Sequence, residues 1–225
     1  MLGIERVVVR AVFAVIACTL VGSACAADPP SAVVGIVVDS CDPGQGVGSG
    51  MIVAPGLVLT SAHVLAGATS IVVHDGKRDT TATIVAFDPE MDLAYVSFDA
   101  IPTRTLDVAS DHVDRGDTGT AYVVRDGEVV AEPVRVRRRV TIRTEDIYIQ
   151  GETERPGFEL DADIQSGDSG GAVVVDGKVI GVIWARSNKY DERAYAIDAV
   201  RAADLIHEQR RSGELGDDVD ITRCR

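Results

Sequence analysis

Glycine and proline cut this chain into short apolar runs, and that spacing constrains its fold more than any other feature. Val33 to Val38, Gly48 to Val53, Leu57 to Thr60, Ile71 to His74, Ala82 to Phe87 and Leu93 to Ser97 each read as a strand, with Asp42-Pro43-Gly44-Gln45-Gly46 and Pro55-Gly56 among the turns. The series resumes after Asp114-Arg115-Gly116-Asp117 with Gly119 to Val124, Glu128 to Ala131, Val134 to Ile142, Ile147 to Ile149, Gly171 to Val175, Lys178 to Trp184 and Ala194 to Ile197. No stretch before residue 198 holds a helical period. The fold class is therefore all-β, divided at the weak segment around residues 99 to 117 into two β units of similar size. One helix closes the pattern: Asp198 can cap it, Val200, Ala203 and Ile206 share a stripe, Arg210 and Arg211 sit late, and Gly213 can stop it.

The run Val134-Arg135-Val136-Arg137-Arg138-Arg139-Val140 puts Arg135, Arg137 and Arg139 on one solvated face. Arg138 then shares parity with the valines and points inward, unless a bulge intervenes. Nucleic acid is not the partner of this run, because the chain carries 35 acidic against 22 basic residues, a net charge of −13.

The first residues read as a targeting segment. Arg6 and Arg10 precede the apolar run Ala11 to Gly22, and Ala24-Cys25-Ala26 offers small residues for cleavage, so residues 1–26 are expected to be a signal peptide. A lipoprotein signal is the rival, with Val15-Ile16-Ala17-Cys18 the better lipobox and Ser23-Ala24-Cys25 the poorer. The chain contacts a membrane only if a lipid is attached at Cys18 or Cys25. Cleavage at Ala26 leaves Cys41 and Cys224, which an oxidising compartment would join. The chain-entropy account credits so long a loop with about 4–5 kcal/mol.

Three short stretches carry chemistry. In Gly167-Asp168-Ser169-Gly170-Gly171 a serine stands between small residues before an apolar strand, and the turn can aim the backbone N–H groups of Gly167 and Ser169 at one point. In Leu59-Thr60-Ser61-Ala62-His63 a histidine follows an apolar strand. In Met91-Asp92-Leu93-Ala94 an aspartate heads another. A serine hydroxyl attacks only when a base takes its proton, imidazole is that base near neutral pH, and a buried carboxylate orients it. His74, His112 and His207 show no ligand spacing, so neither a metal nor a cofactor is expected.

Together with Gly48-Ser49-Gly50, these stretches resemble the trypsin/chymotrypsin-like serine protease family. Their compact spacing is similar to that of bacterial Deg-type (high-temperature-requirement) proteases and of the periplasmic acid-resistance proteases of actinobacteria. The resemblance implies two six-stranded antiparallel β-barrels and a C-terminal helix, with barrels at 27–112 and 113–198 and the helix with an acidic tail at 199–225. It implies catalysis by His63, Asp92 and Ser169, and a secreted or periplasmic enzyme acting on proteins or peptides. No peptide-binding PDZ domain is expected.

Asp168 departs from the asparagine usual in Deg-type members and needs a cation. Arg125 resembles the arginine that supplies it in secreted bacterial relatives, and Arg138 is the alternative. Asp163, six residues before the nucleophile, falls at the base of the primary specificity pocket in this family, with Trp184, Ala185 and Ala194 as walls. An acid there favours Arg or Lys in the substrate, unless Arg186 or Arg193 neutralises it; Deg-type members prefer small apolar residues. A catalytically inert homologue acting as a binding or scaffold protein is the alternative to an enzyme. An esterase is disfavoured by the lack of a Gly-x-Ser-x-Gly elbow.

Overall fold

The computed structural model describes residues 31–41, 45–99, 104–109 and 113–212. The targeting segment, Cys18, Cys25, His112, Cys224 and the acidic tail fall outside them. Twelve strands form two closed antiparallel barrels of six strands each, and the fold is mostly β and chymotrypsin-like.

The first barrel comprises β1 (Val33–Ser40), β2 (Gln45–Ala54), β3 (Leu57–Thr60), β4 (Ala68–His74), β5 (Asp79–Asp88) and β6 (Leu93–Phe98). A short helix, α1 (Ala62–Leu65), follows β3. Pairing of β1 with both β2 and β4 closes the ring in the order β1-β2-β3-β6-β5-β4. The second barrel comprises β7 (Thr118–Arg125), β8 (Glu128–Glu145), β9 (Glu152–Asp161), β10 (Ala172–Val175), β11 (Lys178–Arg186) and β12 (Arg193–Asp198), and β10 pairs with both β7 and β11 to close it. Helix α2 (Val200–Ser212) follows, and the Asp198 carboxylate caps its start by accepting from the Val200 amide at 3.1 Å.

Two sequence expectations need correction. Ile147 to Ile149 is a turn, and the strand lies further on at β9, whose Pro156 and Gly157 had hidden it. The break expected between Ala131 and Val134 does not occur, because β8 runs unbroken through Pro133. A bulge does separate Val136 from Arg138. It turns Arg138 outward, 69% exposed, where it pairs with Glu159 at 2.5 Å.

Each barrel encloses its own apolar core, built in the first around Val34, Ile36, Ile52, Val58 and Val96 and in the second around Val123, Val136, Phe158, Leu160 and Ile183. A third cluster spans the seam between them. Met51, Leu59 and Leu93 from one side meet Ala172, Val182 and Ile197 from the other, with Ala202 and Leu205 of α2 on top. Although α2 follows the second barrel in sequence, it packs on β5 and β6 of the first, and the buried Tyr95 hydroxyl donates to the Ala202 carbonyl at 2.9 Å. That seam positions the site.

Candidate active site

His63 lies in α1, which begins where β3 leaves the barrel wall. The ring Nδ1 is 2.9 Å from Asp92 Oδ2, and the His63 backbone N–H donates to Asp92 Oδ1 at 2.8 Å. Both carboxylate oxygens are thus committed to one residue, which fixes the ring's rotation as well as its place. Asp92 is 1% exposed and sits at the head of β6 with φ of 58°, a left-handed conformation that aspartate tolerates better than most residues. Burial would push its carboxyl up. The facing His63 ring, the hydrogen bonds from it and the Arg155 cation outweigh that, and hold the group below the usual carboxylate range.

The serine turn is held from both barrels. Asp168 is fully buried, and Arg125 of β7 grips it with two bonds, Nε to Oδ1 at 3.0 Å and Nη2 to Oδ2 at 2.7 Å. Arg125 also bonds Glu132 at 2.6 Å and the Asp163 carbonyl at 2.9 Å. The Asp168 pairing is the main reason its guanidinium is held more firmly protonated than an ordinary arginine. Arg138, the other candidate, goes to Glu159 instead. From the first barrel, the Ser49 amide donates to the Ser169 carbonyl at 2.8 Å. Gly170 has φ of 85°, and a Cβ there would lie 2.1 Å from the Ser49 carbonyl oxygen, so only glycine fits.

Gly167 adopts φ of 96°. Among the described residues neither its N–H nor that of Ser169 has an acceptor, which leaves two donors available at this turn. The Ser169 hydroxyl donates to the Trp184 carbonyl at 3.4 Å rather than to His63. Further contacts draw the two halves together: the Ser61 hydroxyl, beside α1, donates to the Ile183 carbonyl of β11 at 3.1 Å.

The residues expected to form a specificity pocket differ in exposure. Asp163 is exposed and lines a cavity of about 320 Å³ together with Arg186, Tyr190 and Arg193. Arg193 is tied to Glu159 at 2.7 Å and its guanidinium lies 4.7 Å from the Tyr190 ring centroid. Trp184 and Ala185 are half-buried on β11, whereas Ala194 is fully buried in the second core. Sequence reasoning missed Arg155 altogether. A lone arginine between Glu154 and Pro156 gave no sign that it is 2% exposed and lies 4.0 Å from Asp92.

Cys41 is disulfide-bonded. His74 pairs with Asp79 at 2.7 Å on the surface, and His207 is exposed. Among the described residues no group of His, Cys, Asp and Glu could hold a metal ion, and no helix is long and apolar enough to cross a membrane.

Residues 48–182 match the family model for a trypsin-like peptidase domain. The chain is 30% identical over 159 residues to the serine protease Rv3671c of Mycobacterium tuberculosis, covering 69% of this chain and 40% of that protein. It is 31% identical over 189 residues to a probable periplasmic DegP-like serine endoprotease of Halomonas elongata, covering 76% of this chain and 36% of that one. The chain therefore spans about two fifths of the length of the curated relatives it matches. Its structure superposes on the active form of the Rv3671c protease with a TM-score of 0.76 at 26% identity, covering 84% of this chain and 82% of the other. The HtrA-type protease AlgW, solved with a tripeptide, gives 0.71 at 26% identity, covering 82% and 62%.

Proposed function

The chain belongs to the trypsin-like peptidase family, and on that premise we propose that it is an exported serine endopeptidase that cleaves proteins or peptides through an acyl-enzyme. The observation that carries this reading is the grip of Asp92 on His63, 2.9 Å at the ring and 2.8 Å at the backbone; the turn bearing Ser169 is tied to the same barrel by the Ser49 amide at 2.8 Å. In the proposed cycle His63 takes the Ser169 proton as the hydroxyl attacks the scissile carbonyl. It then returns that proton to the leaving amine, and a water repeats the sequence on the ester. Asp92 holds the imidazole in the tautomer with Nε2 free and offsets the charge it gains. The Gly167 and Ser169 N–H groups donate to the oxyanion, where one lost donor costs about 3–4 kcal/mol.

Comparison with the periplasmic DegP-like relative supports a location outside the cytoplasm, in the cell envelope or beyond. The disulfide at Cys41 fits such a compartment, and Cys224 is the proposed partner. Asp163 is the proposed determinant of substrate choice; Arg186, which lines the same cavity, would weaken its selection of a basic side chain.

One observation favours the second reading, an inert homologue kept as a binding or scaffold protein: the Ser169 hydroxyl is bonded to Trp184 and not to His63. Catalysis requires that hydroxyl to turn about its Cα–Cβ bond. Fluorophosphonate labelling separates the two. Labelling that disappears in both Ser169→Ala and His63→Ala supports the peptidase, and folded protein that never labels supports the inert homologue.

A further inference from the structure

The hairpin joining β8 to β9 leaves the second barrel and lies against the first. Ile147 at its tip is 3% exposed within the first barrel's core, and its amide donates to the Pro89 carbonyl at 3.2 Å. Arg155 stands on the returning strand. Its Nε donates to the Glu90 carbonyl at 2.5 Å, and its Nη2 lies 3.3 Å from the carbonyls of Pro89 and Glu145. Its Nη1 is 4.0 Å from Asp92 Oδ2, and its guanidinium lies 5.4 Å from the centroid of the Trp184 ring. A side chain that is 2% exposed thus touches the loop carrying Asp92, the Asp92 carboxylate itself and the strand carrying Trp184.

From this placement we infer that Arg155 is a positioning residue for the catalytic pair, acting through Asp92 and touching no substrate. It has two separable effects. Its bonds to the Pro89 and Glu90 carbonyls fix the turn that presents Asp92 in its left-handed conformation, assisted by the Asp88 carboxylate, which caps the Glu90 and Met91 amides at 2.9 and 2.8 Å. Its charge lies 4.0 Å from Asp92 Oδ2, the same carboxylate oxygen that pairs with the His63 ring. A fixed cation this close disfavours any further positive charge beside Asp92, and neutralising it relieves that cost.

The charged and titratable groups at this spot include His63 from α1, Asp92 at the head of β6, Asp88 in the turn before it, Tyr148 of the hairpin and Arg155 from β9. Glu90 and Glu145 offer Arg155 their backbone carbonyls while their side chains are exposed. Trp184 of β11 contributes an uncharged ring. Asp88, whose carboxylate accepts from the Glu90 and Met91 amides, adds a negative charge to the same turn.

The inference rests on the peptidase reading for its consequence in catalysis, so the test has one readout that does not. The His63 ring signal is followed by NMR against pH in the full chain, for the parent and for Arg155→Met, Arg155→Gln and Arg155→Lys. In parallel, fluorophosphonate labelling rate and kcat/KM are measured against pH. The methionine and glutamine variants are expected to move the ring titration and the acidic limb of the labelling profile to higher pH, by more than about 0.3 unit. The lysine variant keeps the charge but loses the fan of carbonyl bonds. It is expected to leave the titration in place while lowering kcat, with KM little changed, on the order of 10-fold or more. If Arg155→Met fails to fold, Arg155→Gln, which retains an amide donor, makes the same comparison. A ring titration unmoved or lowered in the neutral variants overturns the inference. So does a lysine variant that shifts it as far as methionine does. A parent protein that never labels yet shows the expected ring shifts sinks the peptidase reading and leaves this one standing.

Discussion

The backbone N–H of Ser49, on the first barrel, donates to the carbonyl of Ser169, on the second, at 2.8 Å. Around that bond the fit is tight: the Thr60 hydroxyl also reaches the Ser49 carbonyl at 2.7 Å, and the Ser49 hydroxyl accepts from the Val124 amide at 2.8 Å. The turn bearing the proposed nucleophile therefore takes its position from the barrel that bears the proposed base.

Gly170→Ala is the sharpest test of that fit. The new methyl group would lie 2.1 Å from the Ser49 carbonyl oxygen and 2.2 Å from the Thr60 hydroxyl, at a φ of 85°. Strain and overpacking together are expected to destabilise the protein by about 3 kcal/mol. Labelling at Ser169 should fall further than the folded fraction does. Urea unfolding alongside fluorophosphonate labelling reads both, and an unchanged midpoint would mean the two barrels are not so closely apposed.

Arg125→Met should be costlier than Arg125→Lys. Methionine leaves the fully buried Asp168 carboxylate without its cation, a loss of about 3–5 kcal/mol. Lysine restores the charge but not the paired bonds at 3.0 and 2.7 Å. Denaturation midpoints in the order parent, lysine, methionine check this.

Asp92→Asn is expected to lower kcat roughly 10⁴-fold, because the amide favours the wrong imidazole tautomer. It should also change the acid profile of stability. The folded carboxyl is held below its ordinary 3.8, so its contribution is present above that value and is lost as pH falls through the lower, folded one. Removing the carboxylate should therefore flatten the stability curve below about pH 4. Thermal melts of the two proteins between neutral and acid pH measure the difference.

Reduction should loosen the fold by about 2–4 kcal/mol through the Cys41 disulfide. Non-reducing peptide mapping is expected to recover a Cys41–Cys224 crosslink. A crosslink to any other cysteine would overturn the proposed pairing.

Much of this was legible in the chain because turn residues and apolar alternation act locally. Asp42 to Gly46, Pro55-Gly56 and Asp114 to Asp117 announced most of the strands without any tertiary help. Asp198 announced the helix in the same way. β9 was hidden because Pro156 and Gly157 imitate a turn, whereas Gly157 is required where a Cβ would fall 2.3 Å from the Ala196 carbonyl oxygen of the neighbouring strand. Arg155 was hidden for a different reason. Two of its partners are backbone carbonyls 65 and 66 positions away, and no local pattern encodes a contact with a carbonyl. Arg138 followed from alternation only until the bulge after Val136 changed the parity. The Ser169 rotamer, too, depends on a carbonyl of a distant strand.

Helix α2 has a temporal meaning as well as a spatial one. It is the last described element of the chain, yet Ala202 and Leu205 cover Met51, Leu59 and Tyr95, which belong to the earliest strands. A nascent polypeptide that has emerged only as far as Ser169 has all three proposed reactive side chains but lacks β10, β11, β12 and this cover. Closure of the second barrel, and then of the cover over that seam, can therefore come only after β12 and α2 have been synthesised.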